Sequence, residues 1–297
     1  MNNTARLRRG LILVNAYSES ESEMNQPTRL ASELNSLGIK AEIKRNNYFP
    51  AVLNGDIFCP VKDSDFVVYL DKDKYVSDML ERSGMRLFNR HEAIRICDDK
   101  VKTFICLSNA GVRMPKTLPG LLCYNGDGVL SHTSIDRIEE ELSYPIVVKE
   151  SYGSLGKGVY LVESRGELIE LTSKLKGVPH MFQEYIAFSR GRDVRIIVIG
   201  GKVIGGMLRT SDSDFRSNIS LGGRAEPFEV TKEMKALAEK VANILGLDYC
   251  GVDMLFSENG PLVCEVNSNA FFGGFEKITG INVAAIYAQH ILKTIYG

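Results

Sequence analysis

The chain has 297 residues, 44% of them hydrophobic, enough for a substantial core and for two or three compact units. Its 36 Lys+Arg against 37 Asp+Glu leave a formal net charge of −1, so no global basic field exists to hold nucleic acid or a membrane surface. Four histidines leave little room for a histidine-rich metal site, no apolar run reaches the ~20 residues of a membrane span, and six scattered cysteines without a CxxC pair point to a reduced, cytoplasmic compartment.

Basic residues precede the apolar run LILVNAY, but that run is too short for a signal peptide and passes into the polar SESESEMN. Residues 11–17 are therefore predicted as a first buried strand. Residues 27–37 follow as an amphipathic helix stopped by Gly38. Residues 39–44 and 66–70 are further strands, 75–82 a helix ended by Ser83-Gly84, and 86–88 a short strand. This rhythm predicts a small parallel-sheet βαβ domain over residues 1–97.

Asp98 and Asp99 cap a predicted helix running to about Asn109 and ended by Gly111. Residues 120–132 read as a loop and 135–142 as a helix. Residues 144–149 form a nearly continuous apolar strand, buried on both faces. Antiparallel pairing then takes over. Strands 193–199 and 202–208 flank Gly200-Gly201, a two-residue hairpin signal. A helix over 231–245 has Thr231 as N-cap and Gly246 as C-cap. Strands 249–256 and 261–266 make a second hairpin, and 282–295 a final helix.

The second hairpin carries the most chemistry. Asp253 lies mid-strand in GVDMLF, while Glu265 and Asn267 are two apart on the next strand and share a face. A three-residue loop, Glu258-Asn259-Gly260, sets Asp253 opposite Glu265; a two-residue loop would turn it away. Carboxylates inside apolar strands are costly unless paired or metal-bound. Two carboxylates and an amide oxygen suit Mg²⁺ completed by phosphates and water, with Mn²⁺ as the alternative cation. The plain structural alternative is a pair of buried acids matched to Lys or Arg.

PIVVKESYGSLGKGVYLVES reads as strand, glycine-rich turn, strand. Gly153, Gly156 and Gly158 allow backbone N–H groups close to phosphates, and Lys149 supplies a point charge. The spacing is neither GxxxxGK[ST] nor GxGxxG, and an ordinary flexible turn fits the same residues. The segment Phe182-Gln183-Glu184-Tyr185-Ile186 offers backbone and a carboxylate to an adenine, or else an edge strand with a solvated acid. Asp193 and Arg195 share one strand face. Arg209 and Arg216 are candidates to neutralise a transferring phosphoryl group, or else surface charges.

These stretches, in this order from about Asp98 onward, resemble the ATP-grasp superfamily and within it the RimK-type carboxylate–amine ligases. The matching segments are DDKVKTFICLSNAGVRMPKT, YPIVVKESYGSLGKGV, QEYI, GRDVR, DFRSN, GVDMLF…GPLVCEVNSN and FEKITGINVA. The resemblance implies an α/β N-terminal domain followed by a two-subdomain α+β ATP-grasp fold with largely antiparallel sheets. The central subdomain would span 98–182 and the C-terminal one 183–297. It implies ATP between the subdomains, on Lys100, Lys149, Ser154, Gly156, Glu184, Tyr185, Asp193, Arg216, Ser217 and Asn218. Asp253, Glu265 and Asn267 would be the Mg²⁺ ligands, and Arg209 and Arg216 the catalytic cations. The implied activity activates a carboxylate, on a protein tail or small metabolite, as an acyl phosphate and joins it to an amino-acid amine such as that of glutamate. A kinase-like phosphotransferase and a non-catalytic nucleotide-binding module are the alternatives. After EVN the family usually runs Ser-Pro-Gly, whereas here Ser268 precedes Asn269-Ala270-Phe271-Phe272-Gly273-Gly274. The substrates therefore do not carry over, and a homo-oligomeric state is left open.

Overall fold

The computed structural model describes residues 7–47, 50–124, 126, 128–219 and 222–297; the first six residues of the basic lead-in lie outside them. The chain runs β1 (Arg9–Val14), α1 (Glu21–Ser36), β2 (Lys40–Arg45), β3 (Ala51–Leu53), β4 (Asp56–Phe58), β5 (Phe66–Leu70), α2 (Lys74–Arg82), β6 (Leu87–Phe88), α3 (His91–Asp98) and α4 (Lys100–Leu107). Then come β7 (Thr117–Pro119), α5 (His132–Glu141), β8 (Ile146–Glu150), β9 (Val159–Val162), α6 (Arg165–Leu175) and β10 (His180–Glu184). The last part is β11 (Arg192–Ile199), β12 (Lys202–Thr210), β13 (Arg224–Phe228), α7 (Lys232–Leu245), β14 (Tyr249–Leu255), β15 (Leu262–Asn267), α8 (Gly273–Thr279) and α9 (Val283–Tyr296).

Three main sheets result. The first, in order β2-β1-β5-β6, is wholly parallel, as the βαβ rhythm predicts. The second (β7-β10-β8-β9) and third (β13-β12-β11-β14-β15) are antiparallel. Both expected boundaries cut elements: 97 falls inside α3, and 182 falls inside β10, whose pairing with β7 and β8 assigns it whole to the second sheet. That interior position also corrects the edge-strand reading of Phe182–Glu184.

Local chemistry explains several departures. Helix α1 starts within the polar tract, because Ser20 and Glu23 form a reciprocal capping box that turns SESE into a helix start. The helix predicted after Asp98 is α4 alone, and a helix that was not expected, α3, precedes it. Asp98 closes α3, and only Asp99 acts as a cap, accepting from the Lys102 backbone N–H. The Gly200-Gly201 hairpin forms as expected, with both glycines at positive φ.

The C-terminal sheet is covered on both sides. Leu237, Ala238 and Val241 of α7 pack against Val194, Ile196, Val252 and Met254. On the other side Phe275, Val283, Tyr287 and Ile291 join Ile197, Met207 and Tyr249, and the same cluster continues into Ile12, Leu30, Leu34, Phe66 and Phe88. The parallel sheet and the C-terminal sheet thus share one core through α1, α8 and α9. A separate cluster under α5 and α6 holds Ile146, Val148 and Phe182.

Candidate active site

Strand alternation builds the site. Ile146 and Val148 of β8 enter the core under α5 and α6, which leaves Val147 and Lys149 to line a cavity on the other face. In the C-terminal sheet Val194, Val252 and Met254 point into the core, so Asp193 and Asp253 line the same cavity from the opposite wall. The glycine-rich turn closes one side with Gly153, Ser154 and Gly156, and Glu184, Tyr185 and Ile186 stand where the chain leaves the second sheet. Arg209, Arg216, Ser217 and Asn218 complete the wall with Lys100 and Glu265.

Among the expected site residues Asn267 alone lies outside this cavity; it lines a second one of about 660 Å³. Ser154, Arg209, Asn218 and Glu265 line both. The second cavity runs below the carboxyl ends of β1 and β5, with Asn15, Asp71 and Lys72 on that side and Asn269, Ala270 and Phe271 on the other.

Asp253 pairs with Glu265 across the β14–β15 ladder, but not through the expected loop. Leu255 faces Leu262 and Met254 faces Val263, so six residues, 256–261, connect the paired strands; a bulge at Cys264 then shifts the pairing so that Asp253 meets Glu265. Neighbouring residues of a regular strand point to opposite faces, whereas at this bulge Cys264 and Glu265 both line the first cavity. The sequence pattern gave no sign of Cys264, whose Sγ lies 3.4 Å from Lys149 Nζ.

The charges are tightly matched. Asp253 is 3% exposed and accepts from Arg195 through both oxygens, at 2.8 and 2.7 Å, and from Arg209 Nη2 at 2.9 Å. Burial pushes its carboxyl up, but Arg195 and Arg209 more than reverse this and hold it well below the usual range. Arg209 is 4% exposed, which corrects its reading as a surface charge. Its Nε donates to Asp193 Oδ1 at 2.7 Å and its Nη2 to Asp193 Oδ2. Burial alone would lower the Arg209 value; Asp253 and Asp193 raise it, so the guanidinium stays charged. No hydrogen bond from Arg209 Nη1 occurs among the described residues, so that group remains to donate into either cavity. Asp193, expected on the nucleotide, lines the first cavity and has both oxygens on Arg209.

Other cations hold the glycine turn. Lys100 Nζ donates to Gly153 O at 2.8 Å and stands 3.6 Å from Glu265 Oε1. Arg216 Nη1 donates to Gly156 O at 2.7 Å, while its Nε and Nη2 bind Asp214. At the hinge, Glu184 Oε2 accepts from the Lys116 backbone N–H at 3.1 Å, and the Tyr185 ring meets Phe215 edge-on at 6.4 Å.

The donor set tests for a divalent cation. Among the described residues no group of three or more His, Cys, Asp or Glu gathers. Asp253 and Glu265 supply two carboxylates and Asn267, whose Nδ2 lies 3.5 Å from Asp253 Oδ2, an amide oxygen. A carboxylate offers about four lone-pair sites; the arginines take three on Asp253 and the long Asn267 Nδ2 contact the fourth, so a cation there would replace that contact and turn the amide oxygen inward. The set fits a hard cation that draws most of its shell from phosphate and water, as Mg²⁺ does.

A cavity of about 110 Å³ between two antiparallel α+β sheets, walled by lysines, arginines and a glycine turn, has the layout of the ATP-grasp class. The RimK-like ATP-grasp domain family matches residues 97–291, and the chain belongs to that family. It is 37% identical to N-acetylaspartylglutamate synthase A of Homo sapiens over 87% of this chain, and 40% identical to beta-citrylglutamate synthase B of Danio rerio over 77%. The chain spans 64% and 56% of those relatives' lengths, less than two thirds of either. In fold it matches the RimK domain ATP-grasp protein of Sphaerobacter thermophilus, with a TM-score of 0.72 and 21% identity, over 97% of this chain and 100% of the other.

Proposed function

We propose that the protein is an ATP- and Mg²⁺-dependent carboxylate–amine ligase that joins an amino acid, glutamate first among candidates, to a carboxylate. One observation carries this reading: the two cavities share Ser154, Arg209, Asn218 and Glu265 as a common wall. A phosphoryl group leaving a nucleotide in the first cavity enters the second across that wall. Both relatives are named as synthases of glutamate conjugates, which supports an amino acid as the amine.

Tyr185, Ile186 and the hinge backbone would hold the base, and Lys100, Lys149 and Arg216 the phosphate tail. Asp253, Glu265 and Asn267 would hold Mg²⁺, which when bound offsets charge on the β- and γ-phosphates. The acceptor carboxylate oxygen attacks the γ-phosphorus and the bond to ADP breaks, leaving an acyl phosphate. Arg209 Nη1 is placed to stabilise the charge on the transferring group, its other nitrogens being fixed by Asp193 and Asp253. The amine then attacks the acyl carbon and phosphate departs. The glycine turn excludes water from the labile intermediate.

To test this, folded protein is incubated with ATP, Mg²⁺, amino acids and metabolite carboxylates, and phosphate release is followed. Hydroxylamine should trap the intermediate as a hydroxamate; a phosphate ester instead would mean a kinase, and tight ATP binding without turnover a binding module. Glu265→Gln should cut turnover by at least about 100-fold, and removing Mg²⁺ with EDTA should abolish it.

A further inference from the structure

Two acids of the second cavity, Asp71 and Glu23, are already satisfied, and one buried amide is not. Asp71 accepts from Asn15 Nδ2, Asn46 Nδ2 and the Lys72 backbone N–H. Glu23 is held by its own capping box, accepting from Glu19 N, Ser20 N and Ser20 Oγ. Gln26, on α1, lines the same cavity and is 2% exposed. Its Nε2 donates to Asn269 Oδ1 at 3.3 Å, and its Oε1 is the buried side-chain oxygen that has no partner among the described residues. Buried acceptors are rarely left unpaired, because desolvation then goes uncompensated. An unpaired acceptor on a residue that lines a substrate-sized cavity is a candidate for a donor carried by a ligand.

Asn269 adds the complementary half. Its Oδ1 is occupied by Gln26, and its Nδ2 makes no hydrogen bond among the described residues. The two amides therefore offer one acceptor and one donor side by side. That pairing complements an ammonium and a carboxylate carried on one carbon. Asn269 also begins the segment where this chain departs from Ser-Pro-Gly, so the pair joins α1 of the parallel sheet to the stretch following β15.

Resting on the ligase reading above, we infer that Gln26 and Asn269 read the α-amino-acid end of the amine substrate, with Gln26 Oε1 accepting from its nitrogen. Gln26 is a specificity and positioning residue and takes no part in phosphoryl transfer.

The test is calorimetry on full-length protein saturated with Mg²⁺ and a non-hydrolysable ATP analogue. The twenty standard amino acids are titrated singly, L-glutamate first, each with its desamino counterpart, which for L-glutamate is glutarate. The wild type should favour the amino acid that binds over its desamino counterpart by about tenfold or more. Gln26→Leu should lose about tenfold or more for the amino acid and little for the counterpart, with nucleotide affinity and thermal stability not reduced. A purely structural glutamine would move stability and leave that ratio alone. Unchanged amino-acid affinity in Gln26→Leu overturns the inference, and so does a wild type that binds the nucleotide analogue but no amino acid. The first result leaves the ligase reading untouched, and ATP-dependent carboxylate activation stands or falls separately on phosphate release and hydroxamate formation.

Discussion

Asp253 is matched to arginines, as the plain structural reading expects, and the proposed cation site draws on the same carboxylate. This changes which substitution is informative. Asp253→Asn removes the carboxylate that Arg195 and Arg209 share, leaving Arg209 only Asp193 and Arg195 without its bidentate partner, so it should lower stability by about 3–5 kcal/mol in denaturant titration. Glu265 has a side chain 29% exposed and a single 3.6 Å ion-pair contact, so Glu265→Gln should leave the unfolding midpoint nearly unchanged while turnover falls. Arg195 was legible only as sharing a face with Asp193. Its pairing opposite Asp253 comes from the β11–β14 register, which joins residues 58 apart in sequence and which local pattern cannot reveal. The thiols give a pH test. Burial pushes Cys97 and Cys250 up from the ordinary value, so they stay protonated in the fold. Above about pH 8.5, where unfolded thiols ionise, the folded state binds more protons and stability should fall as pH rises. Iodoacetamide at pH 8 should spare both until the protein unfolds, while Mg²⁺·ATP should slow labelling of Cys264, read by mass spectrometry.

At the level of elements, strongly periodic segments with clear punctuation were legible: the β11–β12 hairpin, α7 between Thr231 and Gly246, and the parallel strands β1 and β5. What escaped has physical causes. Helix α6 turns only Leu168, Thr172 and Leu175 inward and carries Gly166 in its first turn, so its period is faint. The strands β3, β4 and β13 are short and mostly solvent-facing. The pairing of Asp253 with Glu265 was expected for a reason that does not hold. Both a regular three-residue loop and the observed six-residue connection with a bulge give that pair, and only the second brings Cys264 to the first cavity.

On the scale of the molecule, the parallel sheet is fastened to the rest at a few polar points around the shared core. Asn89, 2% exposed, donates to Tyr249 O at 2.7 Å and Ser268 O at 2.8 Å and accepts from the backbone N–H groups of Asp248 and Tyr249. Asn89→Ala orphans four backbone groups, so it should cost roughly 3 kcal/mol or more in denaturant titration. It should also loosen the seam beneath the second cavity and weaken amino-acid binding more than nucleotide binding. Arg86, bonded to both oxygens of Asp248, and Arg29, 3.3 Å from Glu276, tie the same seam nearer the surface. None of these cross-links has a sequence signature, since each joins positions more than 150 residues apart.

The grip of Lys100 and Arg216 on the carbonyls of Gly153 and Gly156 has a consequence for how the nucleotide arrives. An incoming triphosphate does not meet idle cations. On the proposed reading, a triphosphate that binds Lys100 and Arg216 competes with two backbone oxygens for their N–H groups, and each exchange frees one anchor of the turn. Occupancy and loop order are therefore traded one for the other, so the backbone amides of the turn should exchange hydrogen at rates that report how many phosphates are present.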